Sequence, residues 1–166
     1  MGSPVPEPIG PGEESVWSYP RPPRLEREPR TVQIDFGGGV VAHTRAAWRV
    51  LETSHPPVYY LPPSAFADGV LRPAPGESFC EWKGSARYWD VVGLDGLASG
   101  RAGWSYPNPT ARFADIADHV AVYAERMDAC YVGGEQVTPQ PGRFYGGWVT
   151  SWVKGPFKGG PGSWGW

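Results

Sequence analysis

The sequence predicts a mainly β fold: a single domain of antiparallel sheets with one or two short helices and long Pro/Gly-rich loops. The chain has 23 Gly and 20 Pro among 166 residues, and both residue types disfavour the interior of long helices. Three segments also alternate apolar and polar residues around a glycine-containing turn, which is typical of β-hairpins. Finally, 9 Trp and 8 Tyr supply large flat side chains for a core or a pocket.

The three predicted hairpins account for most of the expected strands. Their paired segments and turns are 32–36 with 40–44 around Gly37–Gly39, 87–92 with a strand from Leu97 around Asp95-Gly96, and 129–132 with 135–137 around Gly133-Gly134. Two further strands are predicted at 58–61 and at 78–83, the second of them after a turn at 74–77.

One helix is predicted over residues 45–52. Thr44 is a suitable cap, apolar residues occur at positions 47, 50 and 51, and Pro56 and Pro57 end the segment. Residues 113–123 fit either a turn of helix or a strand, and we favour a break near Asp118 followed by a strand from Val120.

The length and the composition shifts predict one domain with two atypical ends. Residues 1–14 are mostly Pro, Gly and Glu, which predicts a disordered or extended arm. Residues 15–150 form the expected β-rich domain. Residues 151–166 form a Gly/Pro/Trp-rich tail, and Phe157 and the tryptophans of this tail predict that part of it docks on the domain.

Charge and cysteine content argue against several classes of function. Lys and Arg number 15 against 17 Asp and Glu, so no broad basic field favours nucleic acid. The chain lacks an apolar run long enough for a membrane span and the pattern of a signal peptide, so we expect a cytoplasmic protein with no membrane partner. Cys80 and Cys130 are the two cysteines, without a Cys-x-x-Cys pair, and no cofactor motif is present, so neither metal nor cofactor is expected.

Reactive side chains are concentrated in residues 51–63 and 79–84. His55 precedes Pro56-Pro57, which restricts its backbone, and Glu52 lies three residues earlier. This arrangement suits a positioned general base with a carboxylate to orient it. The alternative is that Glu52 pairs locally and His55 only fills a turn.

Cys80 is the candidate nucleophile of the second segment, and Lys83 is its candidate anion-binding cation. In an extended strand, Cys80 and Trp82 share one face while Lys83 lies on the other, so Lys83 could activate Cys80 only if the Trp-Lys-Gly turn bends back. The alternatives are a small buried cysteine and a solvated lysine at a strand end. Lys158 precedes two glycines but lacks the spacing of a phosphate-binding loop.

Seven aromatic residues are candidates for the walls of a ligand pocket. They are Tyr59, Tyr60, Trp82, Tyr88, Trp89, Trp104 and Tyr106. Strand alternation sends about half of such residues into the core, and neighbours such as Tyr59 and Tyr60 must point to opposite faces.

Several blocks in the same order resemble the bacterial family called domain of unknown function 427. These blocks are Arg49-Val-Leu-Glu-Thr-Ser-His-Pro-Pro57, Tyr59-Tyr-Leu-Pro62, Cys80-Glu-Trp-Lys-Gly84, Tyr88-Trp89 and Trp104-Ser-Tyr-Pro-Asn-Pro109. The resemblance covers a family core of about residues 31–129 and implies a β-tent-like fold, in which antiparallel sheets meet like a tent. Relatives of that fold bind zinc through two Cys-x-x-Cys pairs, which this chain lacks, so their metal is not carried over.

Two functions are expected from these residues. The first is a metal-independent, small-molecule-processing protein in which Glu52 and His55 transfer protons, Cys80 supplies thiol chemistry and Lys83 holds an anionic group. The second is a non-catalytic module that binds a small ligand or a peptide in the same aromatic pocket. In addition, the Trp-rich arm and tail are candidates for the interface of a homodimer.

Overall fold

The fold is mainly β, as the sequence predicts, in a computed structural model that describes residues 3–166. The strands of this part of the chain are β1 (Glu14–Ser15), β2 (Arg24–Glu28), β3 (Val32–Asp35), β4 (Val40–Thr44), β5 (Ala47–Leu51), β6 (Val58–Tyr60), β7 (Leu71–Cys80), β8 (Gly84–Val92), β9 (Ala98–Ser105), β10 (Val120–Val122), β11 (Ala129–Val132), β12 (Glu135–Gln136), β13 (Thr138–Pro139), β14 (Trp148–Val149) and β15 (Val153–Lys154). Short 3-10 helices cover Val16–Ser18, Pro63–Ala65, Ala111–Ile116 and Ala124–Arg126.

The strands form small sheets that are almost all antiparallel. Two sheets have four strands, in the orders β12-β11-β3-β4 and β10-β9-β8-β7, and a third has the order β2-β5-β6. The pair β13-β14 is antiparallel, whereas β1 and β15 pair in parallel. The hairpins β3-β4, β8-β9 and β11-β12 are the three that the sequence predicts.

The predicted helix over residues 45–52 is wrong, because residues 47–51 form the central strand β5. Arg49 is the reason why the apolar pattern misled: its side chain is buried and forms ion pairs with Glu14 and Glu26. Both faces of β5 are covered, and on one of them Arg49 is buried with its two carboxylate partners. Burial along β5 therefore does not alternate as it would in a strand with one exposed face.

Two boundaries near the second reactive segment also differ from the prediction. Residues 74–77 form an irregularity in the pairing of β7 with β8, not a turn before a new strand. The strand ends at Cys80 instead of at Lys83, and residues 81–83 form the turn of the β7-β8 hairpin. At 113–123 the favoured break is confirmed, since Asp118 has a left-handed backbone (φ 61°) and β10 begins at Val120.

Strand alternation divides the aromatic residues between two apolar clusters. Trp48 and Tyr60 are paired across β5 and β6 and lie on the face of one cluster, while Tyr59 lies on the other face. The same division separates Tyr88 from Trp89 on β8. The larger cluster fills the centre of the molecule, and the smaller one lies under a cavity.

Two segments near the end of the chain close over that smaller cluster. They are residues 140–147 and 155–160, and they approach so closely that a Cβ on Gly159 would lie 1.8 Å from the carbonyl oxygen of Pro141. The tail is tied to the arm as well: Trp17 donates its indole N–H to the carbonyl of Pro156, and Glu7 donates its amide to the carbonyl of Gly155. Within residues 3–166, no helix is long and apolar enough to cross a membrane.

Candidate functional site

A cavity of about 620 Å³ lies between β6, the β7-β8 hairpin and residues 140–147. This volume is within the usual range for small-molecule sites. The four polar candidates from the sequence, Glu52, His55, Cys80 and Lys83, all line it. Four of the seven aromatic candidates line it as well: Tyr60, Tyr88, Trp104 and Tyr106. The two reactive segments of the sequence therefore meet at one cavity.

A tight turn at residues 52–55 presents Glu52 and His55 to the cavity. The amide of His55 donates to the carbonyl of Glu52 at 3.0 Å, and Ser54 has a left-handed backbone (φ 72°), which is unusual for a residue other than glycine. Ser54 is fully buried, and its carbonyl accepts a hydrogen bond from the amide of Lys158. The surrounding contacts thus hold the turn in a conformation that an isolated chain would disfavour.

The buried side chain of Gln140 determines which nitrogen of His55 carries the proton. The amide oxygen of Gln140 accepts from the N–H of Gly147 at 3.0 Å, and its amide nitrogen donates to the carbonyl of Lys158 at 2.9 Å. The same nitrogen lies 3.0 Å from Nδ1 of His55. Because an amide nitrogen can only donate, Nδ1 accepts, and the neutral ring carries its proton on Nε2.

The surroundings of His55 also keep the ring neutral. The pKa of His55 is lowered to about 4: burial is the main cause, Glu52 opposes it, and the nearby cations of Lys158, Arg21 and Lys83 add to the lowering. Nε2 lies 3.7 Å from a carboxylate oxygen of Glu52, which is beyond a hydrogen bond. The same carboxylate oxygen accepts a hydrogen bond from Nε of Arg21 at 3.3 Å. At neutral pH, His55 is therefore a hydrogen-bond donor beside a carboxylate.

We expect His55 to titrate near pH 4 as its Nε2–H tautomer, which nitrogen-15 NMR of the imidazole ring can measure. Because the pKa of His55 in the folded chain lies below its ordinary value of 6.5, the unfolded chain binds the proton more readily. The contribution of this group to the free energy of unfolding is complete above about pH 6.5 and declines as the pH falls through 4, by about 3 kcal/mol in all. A midpoint near 6.5, or a proton on Nδ1, would contradict the geometry.

The β7-β8 turn brings Cys80 and Lys83 to the same cavity although they alternate in sequence. Cys80 is the last residue of β7 and pairs with Gly84, whose positive φ of 101° lets the chain reverse over residues 81–83. The ammonium of Lys83 lies 5.6 Å from the ring centre of Tyr106, a cation–π distance. The turn therefore bends back, as the sequence required for these two side chains to meet.

The aromatic walls are held in place by contacts beneath the cavity surface. The indole N–H of Trp104 donates to the hydroxyl of Tyr60 at 3.2 Å, and Trp104 packs against Tyr123. A Cβ on Gly146 would lie 2.2 Å from the Trp104 ring, so only glycine fits there. Burial raises the pKa values of Tyr60 and Tyr106, so both hydroxyls stay protonated at neutral pH.

Three of the predicted aromatic residues do not line the cavity. Tyr59 is buried in the central cluster and stacks on Trp148 at 5.1 Å. Trp89 packs against the same cluster and donates its indole N–H to Ser105. Trp82 lies in the β7-β8 turn and packs against the smaller cluster from outside the cavity. Strand alternation explains the first two positions.

The opposite wall of the cavity is not among the residues predicted from the sequence. This wall consists of Gln140, Arg143, Phe144, Tyr145, Gly146 and Lys158. Residues 141–147, Pro-Gly-Arg-Phe-Tyr-Gly-Gly, combine turn residues, aromatic rings and a cation, as the two reactive segments do. That similarity in composition was the available sign of a third cavity segment.

The charged groups around the cavity favour an anion. Lys83, Arg143 and Lys158 face one carboxylate, that of Glu52, while His55 is neutral. Lys158 donates to the main-chain oxygen of Trp166 at 3.1 Å, whereas Lys83 has neither a hydrogen bond nor an ion pair with any residue in 3–166. The described residues contain no group of three or more His, Cys, Asp or Glu side chains arranged to hold a metal ion.

Comparison with known proteins identifies a family but no activity. The family model described as Domain of unknown function (DUF427) matches residues 24–133, about two thirds of the chain. A comparison with curated proteins finds no match. The matched range includes Glu52, His55, Cys80 and Lys83, whereas the opposite wall of the cavity, from Gln140 to Lys158, lies beyond it.

Proposed function

This chain belongs to the DUF427 family, whose description names no activity, and from its cavity we propose that it binds a small molecule with a flat apolar group and an anionic group. The observation that carries the proposal is the set of side chains that line the cavity. Aromatic rings surround the space, and its lining contains three cations but a single carboxylate. Lys83 is the expected partner of the anion, because its ammonium makes no ion pair within residues 3–166.

The mouth of the cavity supports the proposal of a flat ligand. Phe79 and Phe144 line the cavity and are 76% and 70% exposed. A ligand that covers these rings gains about 25 cal/mol of binding free energy for each Å² of apolar surface that it removes from water. His55 then donates its Nε2 proton to an acceptor atom on the ligand and orients it, while Gln140 holds the ring.

The proposal is tested by calorimetric titration with benzoate, a flat ring that carries a carboxylate. Wild-type protein is expected to bind benzoate, and Lys83→Met is expected to weaken the affinity about tenfold, since a hydrogen bond to a charged group contributes about 1.5–3 kcal/mol. Lys154→Met is the matched control, because Lys154 pairs with Glu13 away from the cavity. Absence of benzoate binding to the wild type, or equal weakening by both variants, would refute the proposal.

A catalytic role is the second candidate, and the position of Cys80 favours it. The thiol lines the same cavity as the carboxylate of Glu52 and is not fully buried. In this version Cys80 supplies the reactive thiol, Lys83 holds the anionic group, Glu52 is the carboxylate of the site, and His55 acts as a hydrogen-bond donor instead of a base. The rate at which iodoacetamide alkylates Cys80 in the wild type separates the two candidates, with Cys80→Ser giving the background from Cys130. An activated nucleophile is expected to react faster than free cysteine, whereas the thiol of a pure binding site is expected to react no faster.

A further inference from the structure

A second concavity, of about 280 Å³, lies beside the main cavity and is rich in arginine. It is lined by Arg101, Arg126, Arg143 and Glu125, together with Gly100 and the rings of Tyr88 and Tyr123. Tyr88, Tyr123 and Arg143 line both spaces, so the two adjoin. We call the arginine-lined space the arginine subsite.

Arg101 is held in place before any ligand arrives. Its guanidinium carbon lies 4.1 Å from the ring centre of Tyr88, in a cation–π stack. On another side the guanidinium lies against Gly76, where an added Cβ would come within 2.8 Å of Nη1. The Arg101 backbone is left-handed, with φ of 51°, and its amide donates to Asp90 at 2.8 Å. A guanidinium fixed in this way loses little freedom on binding.

Arg126 is also oriented, and the three guanidinium groups lack carboxylate partners. Arg126 donates to the carbonyl of Gly100 at 2.5 Å. Within residues 3–166, no carboxylate lies within ion-pair distance of Arg101, Arg126 or Arg143, although Glu125 lines the same space. Three like charges around one concavity repel each other unless an anion joins them. Planar guanidinium forks match the oxygens of phosphate and sulfate groups in geometry.

We propose that the arginine subsite binds a tetrahedral oxyanion, a phosphate or sulfate group, carried by the small molecule whose flat group occupies the main cavity. This inference rests on the proposed function, because it assigns the second half of the same ligand. Tyr88 connects the two halves: one side of its ring supports Arg101, and the residue also lines the main cavity. The ligand class is therefore a flat aromatic phosphate or sulfate ester that also carries the anionic group held by Lys83 in the main cavity.

Calorimetric titration of the full chain with phenyl phosphate, phenyl sulfate, inorganic phosphate and benzoate tests the inference. Phenyl phosphate or phenyl sulfate is expected to bind at least tenfold more tightly than inorganic phosphate or benzoate. Arg101→Gln and Arg126→Gln are each expected to weaken ester binding about tenfold. Arg126→Gln is expected to leave benzoate affinity unchanged, because Arg126 does not line the main cavity. Arg45→Gln is the matched control, because this exposed arginine lines neither space.

The outcomes separate this inference from the proposed function. If benzoate binds through Lys83 but the esters bind no more tightly, or if Arg101→Gln and Arg126→Gln do no more than Arg45→Gln, the arginine subsite is refuted and the proposed function stands. If benzoate and both esters fail to bind, both are refuted. Circular dichroism spectra that match the wild type establish that the two glutamine variants are folded, as is expected for exposed positions.

Discussion

Replacing Gln140 by leucine is expected to release His55 and to open the wall of the cavity. The side chain of Gln140 serves three partners: the N–H of Gly147, the carbonyl of Lys158 and Nδ1 of His55. Leucine fills a similar volume but cannot form a hydrogen bond with any of these three groups. Buried polar groups without partners cost about 1–3 kcal/mol each, so we expect a loss of roughly 2–4 kcal/mol in the free energy of unfolding.

Chemical denaturation measures that loss, and nitrogen-15 NMR of His55 shows whether its tautomer is released. Gln136→Leu is the matched control, since Gln136 is exposed on β12. In Gln140→Leu, the Nδ1–H form of His55 should become populated and benzoate affinity should fall. A variant with unchanged stability and an unchanged tautomer would show that Gln140 does not position the ring.

Replacing Trp148 by alanine is expected to cost the most stability of any single change we consider. Trp148 is 1% exposed, stacks on Tyr59 and donates its indole N–H to the carbonyl of Val122 at 3.2 Å. Removing a buried tryptophan costs about 3–5 kcal/mol. For a chain of this length, that loss corresponds to a fall of roughly 10–15 °C in the melting temperature.

Thermal unfolding followed by circular dichroism tests the effect of Trp148→Ala. Trp164→Ala provides the control, because Trp164 is 67% exposed and its truncation leaves no cavity in the core. The control is expected to melt within about 2 °C of the wild type, as surface substitutions usually do. Equal melting temperatures for the two variants would mean that the Tyr59–Trp148 stack does not stabilise the central cluster.

The hairpins could be predicted from sequence because their information is local. Each lies around a glycine turn whose backbone needs positive φ, as at Gly37, Gly96 and Gly133. Strand β5 could not be predicted in the same way. The apolar residues at 47, 50 and 51 suggested a helix. Arg49 is instead buried against Glu14, which lies 35 residues away in sequence, and local periodicity contains no information about such a contact.

The candidate site was predictable on one side only. Residues 51–63 and 79–84 gather enough ionisable and aromatic groups to be recognised, and the turn after Cys80 brings them together. Residues 141–147 have a similar composition, but the positions of Gln140 and Lys158 depend on close contacts between backbone segments, such as Gly159 on Pro141, which composition does not predict. The hydrogen bond from Gln140 determines which nitrogen of His55 carries the proton. The sequence alone therefore could not show whether His55 acts as a donor or as a base.

The central claim is that the cavity binds a flat anion, and a crystal structure with benzoate tests it most directly. We predict the benzoate ring inside the cavity, in contact with Tyr106 and Trp104, and the carboxylate within hydrogen-bonding distance of the Lys83 ammonium or His55 Nε2. Benzoate bound only outside the cavity, or a cavity without benzoate at a saturating concentration, would contradict the claim.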